Sequence, residues 1–328
     1  MQAVLCHQFG PPDILRYERL DTTVSCPANA VRIEVHTVGV NFADILMVNG
    51  EYQRKPPFPF SPGLEAFGIV VESGSAVSRA QVGDRVIAMV DHGAMREELI
   101  ALERDIVICP PAMDAITAAA FASVYSTADV ALQHRAKLQP GEWLMVHGAG
   151  SGVGLAAVEV GKALGATIIA TAGSEEKCAL ARSRGADYTV NYSTGPLRDQ
   201  VLEWTHGKGV NVVFDPVGGD LFKETLRCIA WEGRLIVIGF AAGERQKIPA
   251  NILLVKNATA IGFAWTSYRR TQPKIVYDSL EQLFQAWAAG QLQPTISHTL
   301  PLQEASQAMT LLQQRKVRGK IVLTTDKM

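Results

Sequence analysis

The run "EWLMVHGAGSGVGLAAVEVGKAL", residues 142–164, decides how this chain is read. Its first part is an apolar strand, its last part an apolar helix, and "VHGAGSGVG" (146–154) joins them. A strand-to-helix junction of this kind aims backbone N–H groups and the positive helix end at an anion. Glycine is needed there because a Cβ would hold a diphosphate away from the backbone. A literal G-x-G-x-x-A is present as Gly152, Gly154 and Ala157, but it begins too late after the strand for the tight turn. The register that fits the strand end runs Ala149, Ser151, Gly154, with Gly152 inside. Gly150, Ser151, Gly152 and Val153 are the candidate contacts to a dinucleotide diphosphate.

The same alternation continues downstream. "TIIATAG" precedes the helical "SEEKCALARSR", which Gly185 ends, and "DYTVNY", "VNVVFDPVGG", "GRLIVIGF" and "ATAIGFAW" (258–265) read as further strands. Strands alternating with helices predict βαβ units and a parallel sheet covered on both faces. In such a Rossmann unit the end of the second strand faces the adenosine ribose, where an acid favours NAD. Here that place is "TAGSEEK" (171–177). Ala172 and Gly173 carry no acid, and Ser174 and Lys177 follow within one helical turn. A cation without a competing acid suits a 2′-phosphate, so the expected cofactor is NADPH. Ser174 also reads as a helix N-cap and Lys177 as a solvated surface lysine. Glu175 and Glu176 fall inside the helix, past the ribose position.

The first third has a different texture. "AVRIEVHTVGV" (30–40), "FGIVVESG" (67–74) and "VGDRVIAMV" (82–90) are β-rich runs punctuated by Pro11, Pro12, Pro56, Pro57, Pro59, Pro62, Pro110 and Pro111. Short strands between turns predict a compact β-barrel-like unit with little helix. "AITAAAFASVYSTADVAL" (115–132) turns helical, and the tail holds two amphipathic helices and a last strand, "GKIVLTT". With 328 residues the chain is long enough for two domains. A hydrophobic share of 48% against 19% charged predicts a globular protein with a large core. A net charge of −1 without any basic run argues against a nucleic-acid partner. No uninterrupted apolar run approaches ~18–20 residues, so no membrane span is expected. The amino-terminal "MQAVLCHQFG" lacks the pattern of a secretory leader, and the five cysteines are scattered and odd in number. The expectation is a reduced, cytoplasmic protein without structural disulfides.

"VGVNFADILMVNGEY" (38–52) sets Asn41, Asp44 and Tyr52 among apolar residues. No two histidines have ligand spacing, and Glu65, the one carboxylate in an apolar turn, has no partner in view, so no metal is expected. Asn41 reads as a hydrogen-bond donor or a turn residue, Tyr52 as a donor or a packing residue, and Asp44 as an N-cap or orienting group. His147 reads as a packing residue.

"GVNFADI" (39–45), "PGLEAFGIV" (62–70), "VGDRV" (82–86), "GAGSGVG" (148–154) and "GRLIVIGF" (233–240) together resemble the medium-chain dehydrogenase/reductase superfamily. Within it, the chain is most similar to the zinc-free quinone oxidoreductase, zeta-crystallin-like branch. The resemblance implies an α/β protein: a GroES-like β-barrel catalytic domain from residues 1–123 and 291–328, and a Rossmann NADPH-binding domain from 124–290. It implies a homodimer with one NADPH in the interdomain cleft. Zinc-dependent relatives carry a cysteine at the place of Asn41 and a histidine at that of Leu64. Asn41 and Tyr52 are implied near the nicotinamide as the catalytic pair. Thr127, Val217, Gly239 and Phe240 are implied at the cofactor, and Ser174, Lys177 and Tyr192 around its 2′-phosphate. Leu46 and Trp265 depart from the branch's pattern and bear on the acceptor. Three activities fit: reduction of a quinone, reduction of an activated alkene such as an enone or enal, or NADPH binding in a structural, sensory or RNA-associated role.

Overall fold

The computed structural model describes residues 1–21 and 24–328. The first leg of the chain is β1 (Gln2–Leu5), β2 (Arg16–Arg19), β3 (Ala30–Val40), α1 (Phe42–Val48), β4 (Glu65–Ser73), β5 (Arg85–Met89), β6 (Glu98–Leu102) and β7 (Ile106–Ile108). The middle leg is α2 (Ala115–Asp129), β8 (Trp143–Val146), α3 (Gly152–Ala163), β9 (Thr167–Ala172), α4 (Glu175–Ser183), β10 (Tyr188–Asn191), α5 (Leu197–Trp204), β11 (Val210–Asp215), α6 (Gly219–Cys228), β12 (Ile229–Val237), α7 (Ala250–Lys256), β13 (Thr259–Gly262), α8 (Trp265–Thr271) and α9 (Pro273–Ala288). The return leg is β14 (Ile296–Pro301), α10 (Ala305–Gln313) and β15 (Lys320–Thr324). The chain divides into two compact units, Met1–Ser123 with Pro294–Met328, and Val124–Gln293.

The first unit is built on β3. Val31, Ile33 and Val35 are buried while Arg32, Glu34 and His36 between them are half-buried, the two-residue alternation of a strand with one face in the core. One side of β3 pairs with β4 along nearly its whole length. The other side pairs with β6 through residues 30–34 and then with β15 through residues 37–40. Register shifts after Arg32 and Val35 bend the strand between those partners. From Thr37 onward every residue is buried, so both faces are covered. The full order is β14-β15-β3-β4-β5-β7, with β6 on β3.

The second unit is a six-stranded sheet in the order β10-β9-β8-β11-β12-β13, parallel throughout. The order runs outward from β8 in one direction and from β11 in the other. The direction in which successive strands are added therefore reverses between these two parallel strands, and the crevice beyond their carboxyl ends is where open α/β sheets bind ligands. Its core gathers Met145, Ile169, Val190, Val213 and Phe222.

Three local details refine the sequence reading. The little helix expected in the first third is α1, where Asn41 and Asp44 close a capping box around a seven-residue helix. The second part of the first unit begins at Pro294 rather than 291, because Gln293 hydrogen-bonds Glu159 and Arg184 inside the second unit. The chain has no uninterrupted apolar run of ~18–20 residues, and α2 continues through a π-helical turn (Val130–Arg135) as one helix, Ala115–Arg135, that is apolar on average but broken by Thr117, Ser123, Ser126, Thr127 and Asp129. Its apolar window is 72% buried inside the protein, which makes it a core helix by placement. All five cysteines are free.

Gly39 sits where β3, β4 and α2 meet. A Cβ there would lie 2.0 Å from the Ala119 carbonyl oxygen and 2.6 Å from Glu65 Oε1. Backbone cannot retreat from such a contact as a side chain can, so Gly39→Ala is expected to lower stability by at least about 1–3 kcal/mol. The urea midpoint measures this, and an unchanged midpoint would show that the crossing opens freely.

Candidate functional site

In the Rossmann unit, the loop after β8 is shaped by Gly148, whose φ of +61° is a conformation glycine reaches without strain. Ser151 is the N-cap of α3: its hydroxyl donates to Gly148 O at 2.7 Å and accepts from Gly154 N at 3.2 Å. A Cβ on Gly154 would stand 2.3 Å from Gly148 O, so this glycine lets the helix close on the turn. The first N–H groups of α3, those of Gly152 and Val153 among them, have no partner within the helix and form its anion-binding end. Val217 packs on the other side of Gly148, 3.0 Å from where a Cβ would be.

The residues past β9 converge. The aliphatic stem of Lys177 lies across Gly150, within 2.6–2.8 Å of a would-be Cβ there. Ser174 caps α4 and accepts from the Lys177 backbone N–H at 3.3 Å. The Tyr192 hydroxyl comes 2.9 Å from a would-be Cβ on Gly173. Gly150, Gly173, Ser174, Lys177 and Tyr192 thus lie together as one patch, and both glycines keep it open. Ser174 fills its N-cap role as well.

Two residues missed in the sequence organise the other strand ends. The buried Asp215 closes β11 by accepting from Val217 N (2.8 Å) and Gly218 N (2.9 Å) through Oδ1, and from Gln246 Nε2 (2.9 Å) through Oδ2. Gln246 also donates to Gly239 O at 3.2 Å, fixing the turn that carries Gly239 and Phe240. "FDPVGG", an Asp before Pro at a strand end, was a turn signal for Asp215; nothing local marked Gln246. Thr127 stands half-buried on α2. His147 is buried between the Thr171 and Thr225 hydroxyls at 2.8 and 2.6 Å, and burial pushes its pKa down, so it packs as a neutral ring. Trp265, read as bearing on the acceptor, is a core residue whose indole N–H donates to the Ser126 hydroxyl.

The barrel unit gathers the remaining polar residues around α1. Glu65, which had no visible partner in sequence, is fully buried against the ammonium of Lys320 at 2.6 Å. The three protons of that ammonium meet Glu65 Oε1, Asn41 Oδ1 (2.8 Å) and Val40 O (3.2 Å). The Asn41 amide donates to Glu65 Oε1 at 2.9 Å and, by a longer contact of 3.3 Å, to Gly39 O. Asn41, read as a hydrogen-bond donor or a turn residue, has its oxygen and one amide hydrogen held by the ion pair, because a buried ammonium and a buried carboxylate each demand a partner. Asp44 takes the capping role, its Oδ2 accepting from Asn41 N at 2.7 Å. Tyr52 follows α1, with its backbone N–H on Leu46 O at 3.0 Å and its ring half-buried against the barrel core.

The fold and the dinucleotide loop together define a medium-chain dehydrogenase/reductase. An alcohol dehydrogenase GroES-like domain matches residues 27–111, and a zinc-binding dehydrogenase domain matches residues 152–282. Quinone oxidoreductase-like protein 2 of Mus musculus is 42% identical over 90% of this chain and 84% of its own. The crystal structure of Escherichia coli quinone oxidoreductase complexed with NADPH superposes with a TM-score of 0.93 at 29% identity, covering 99% of this chain and 100% of that one. A 2-haloacrylate reductase superposes at 0.86 with 31% identity, covering 99% and 100%. The chain belongs to the quinone oxidoreductase family of that superfamily. The description of the second matching domain names zinc, and the residues here do not fit one. Among the described residues no three His, Cys, Asp or Glu side chains stand close enough to share an ion. The oxygens of Val40, Asn41 and Glu65 converge on an ammonium instead.

Asp44 gives this cluster a pH dependence. Its Oδ1 is buried without a hydrogen-bond partner, and desolvation raises its pKa to about 7, opposed by the Asn41 N–H and the Lys320 charge. A folded-state pKa above the unfolded one means the folded chain holds this proton more tightly. The stability it contributes is full below the unfolded pKa near 4 and is lost as pH rises through 7, at up to about 1.4 kcal/mol per pH unit. Asp44→Asn keeps the cap and removes the titration. Its melting temperature relative to the parent is expected to climb between pH 5 and pH 8; a constant difference across that range would show that Asp44 is ionised throughout.

Proposed function

We propose that this chain is a zinc-independent, NADPH-dependent reductase of quinones. The observation that carries the cofactor choice is the patch beyond β9: no acid at the strand end, with the Lys177 stem laid over Gly150. A cation there favours a 2′-phosphate, whereas an acid would repel it. The first turn of α3 supports the diphosphate, and Tyr192 and Ser174 stand beside the ribose position. The Escherichia coli relative bound to NADPH supports the same reading.

When bound, NADPH supplies the hydride. The protein's part is to orient the acceptor and to stabilise the negative charge that develops on its oxygen. The Tyr52 phenol is a donor for that charge, and the Asn41 amide contributes the hydrogen held only by the long contact to Gly39 O. Tyr52 or a water then returns the proton. Asp44 stays out of this step, because its Oδ2 is taken by the Asn41 backbone N–H that it caps. Quinone as acceptor is supported by the names of the mouse and Escherichia coli relatives. Reduction of an activated alkene is the second reading, favoured by the likeness to a 2-haloacrylate reductase.

NADPH oxidation across quinones, enals and enones decides between these readings. Asn41→Ala and Tyr52→Phe are expected to lower kcat on the order of tenfold or more with the preferred acceptor; unchanged rates in both would remove the catalytic assignment. NADPH binding without turnover on any acceptor would leave a binding role in place of an enzymatic one. For the cofactor, Lys177→Ala is expected to raise KM for NADPH at least tenfold more than KM for NADH, and equal effects would argue against the 2′-phosphate site.

A further inference from the structure

Lys320 opens the last strand of the barrel unit, its side chain is only 4% exposed, and no step of the proposed reaction requires a cation there. Two features make it more than a structural ion pair. The first is its position on Asn41. The ammonium sits on Oδ1 while the Glu65 carboxylate takes one hydrogen of Nδ2, so the amide has one allowed orientation. Flipping it would set NH2 against ammonium and carbonyl against carboxylate. The second is the hydrogen left over. Nδ2 still donates to Gly39 O at 3.3 Å, well beyond the usual 2.9–3.0 Å, so this contact is the weakest in the cluster. An amide whose oxygen accepts from a cation carries more positive charge on its N–H hydrogens, because hydrogen bonds in series polarise one another.

We propose that Lys320 is a positioning residue that orients and polarises the Asn41 amide, relaying its positive charge to the loosely held Nδ2 hydrogen offered to the acceptor oxygen. This rests on Asn41 facing the acceptor, as assigned under the proposed function. The fixed ammonium then gives the site its electrophilic character through one intervening amide. Glu65 plays the complementary part, neutralising the buried ammonium and holding the other amide hydrogen, which leaves only one to give.

The obvious variant, Lys320→Met, strands Glu65 as an unpaired buried carboxylate and is expected to fold poorly. The informative protein is the double variant Lys320→Met/Glu65→Gln, which removes both charges at similar volume. Two readouts are taken on the intact chain. In the first, kcat for NADPH oxidation with the preferred acceptor falls at least tenfold in the double variant, while NADPH affinity, measured by cofactor fluorescence without acceptor, stays within twofold. A double variant that folds and turns over within twofold of the parent overturns the proposal, since a purely structural pair is dispensable once both charges are gone. In the second, the side-chain ¹⁵NH₂ signals of Asn41, assigned through their loss in Asn41→Ala, shift upfield in the double variant as the polarising cation is removed. If the parent turns over no acceptor, the proposed reaction fails on its own account, and these signals still decide the positioning claim: unchanged Asn41 resonances overturn it.

Discussion

The ion pair between Lys320 and Glu65 is the constraint on which the barrel unit's chemistry hangs. A carboxylate and an ammonium, both essentially out of solvent, are tolerable only when every remaining donor and acceptor around them is satisfied. That requirement recruits Asn41 to bridge the two charges, Val40 O to take the third ammonium proton, and Ser123 N to reach Glu65 Oε2 at 3.0 Å. Each of these partners lies on a different element. The pair therefore ties together the end of β3, the start of α1, the start of β4, the helix α2 and the last strand. Gly39 has no side chain because this junction leaves no room for one.

The two units present different groups. The parallel sheet presents helix ends and glycine turns, which suit a large anionic cofactor. The barrel unit presents a small buried polar cluster around the Lys320–Glu65 pair. Asp215 does for the strand ends of the Rossmann unit what Glu65 does for the barrel: one buried carboxylate collects several donors and freezes a turn. In both places the carboxylates are structural.

What could be read in the sequence follows from how local each feature is. The strand at 30–40 was legible to the residue, because β-branched alternation and flanking turns are encoded within eleven positions. The dinucleotide loop and the patch at Gly173, Ser174 and Lys177 were legible for the same reason: strand, glycine turn and helix cap are neighbours in the chain. Glu65 could be noticed but not explained, since its counter-charge lies 255 residues away. Gln246 carried no mark at all, because its meaning comes from contacts to Asp215 and Gly239 made in space. Trp265 was misjudged for the opposite reason: its size drew attention, while its place in the core is set by the Ser126 hydroxyl.

The separation of Glu65 from Lys320 also has a consequence in time. During synthesis at roughly 5–20 residues per second, Glu65 exists for on the order of 10 to 50 seconds before its lysine is made. The whole Rossmann unit is translated in that interval. Until then the nascent first leg carries Glu65 without its counter-charge. The Lys320–Glu65 pair can therefore close only after every residue of the Rossmann unit has been made.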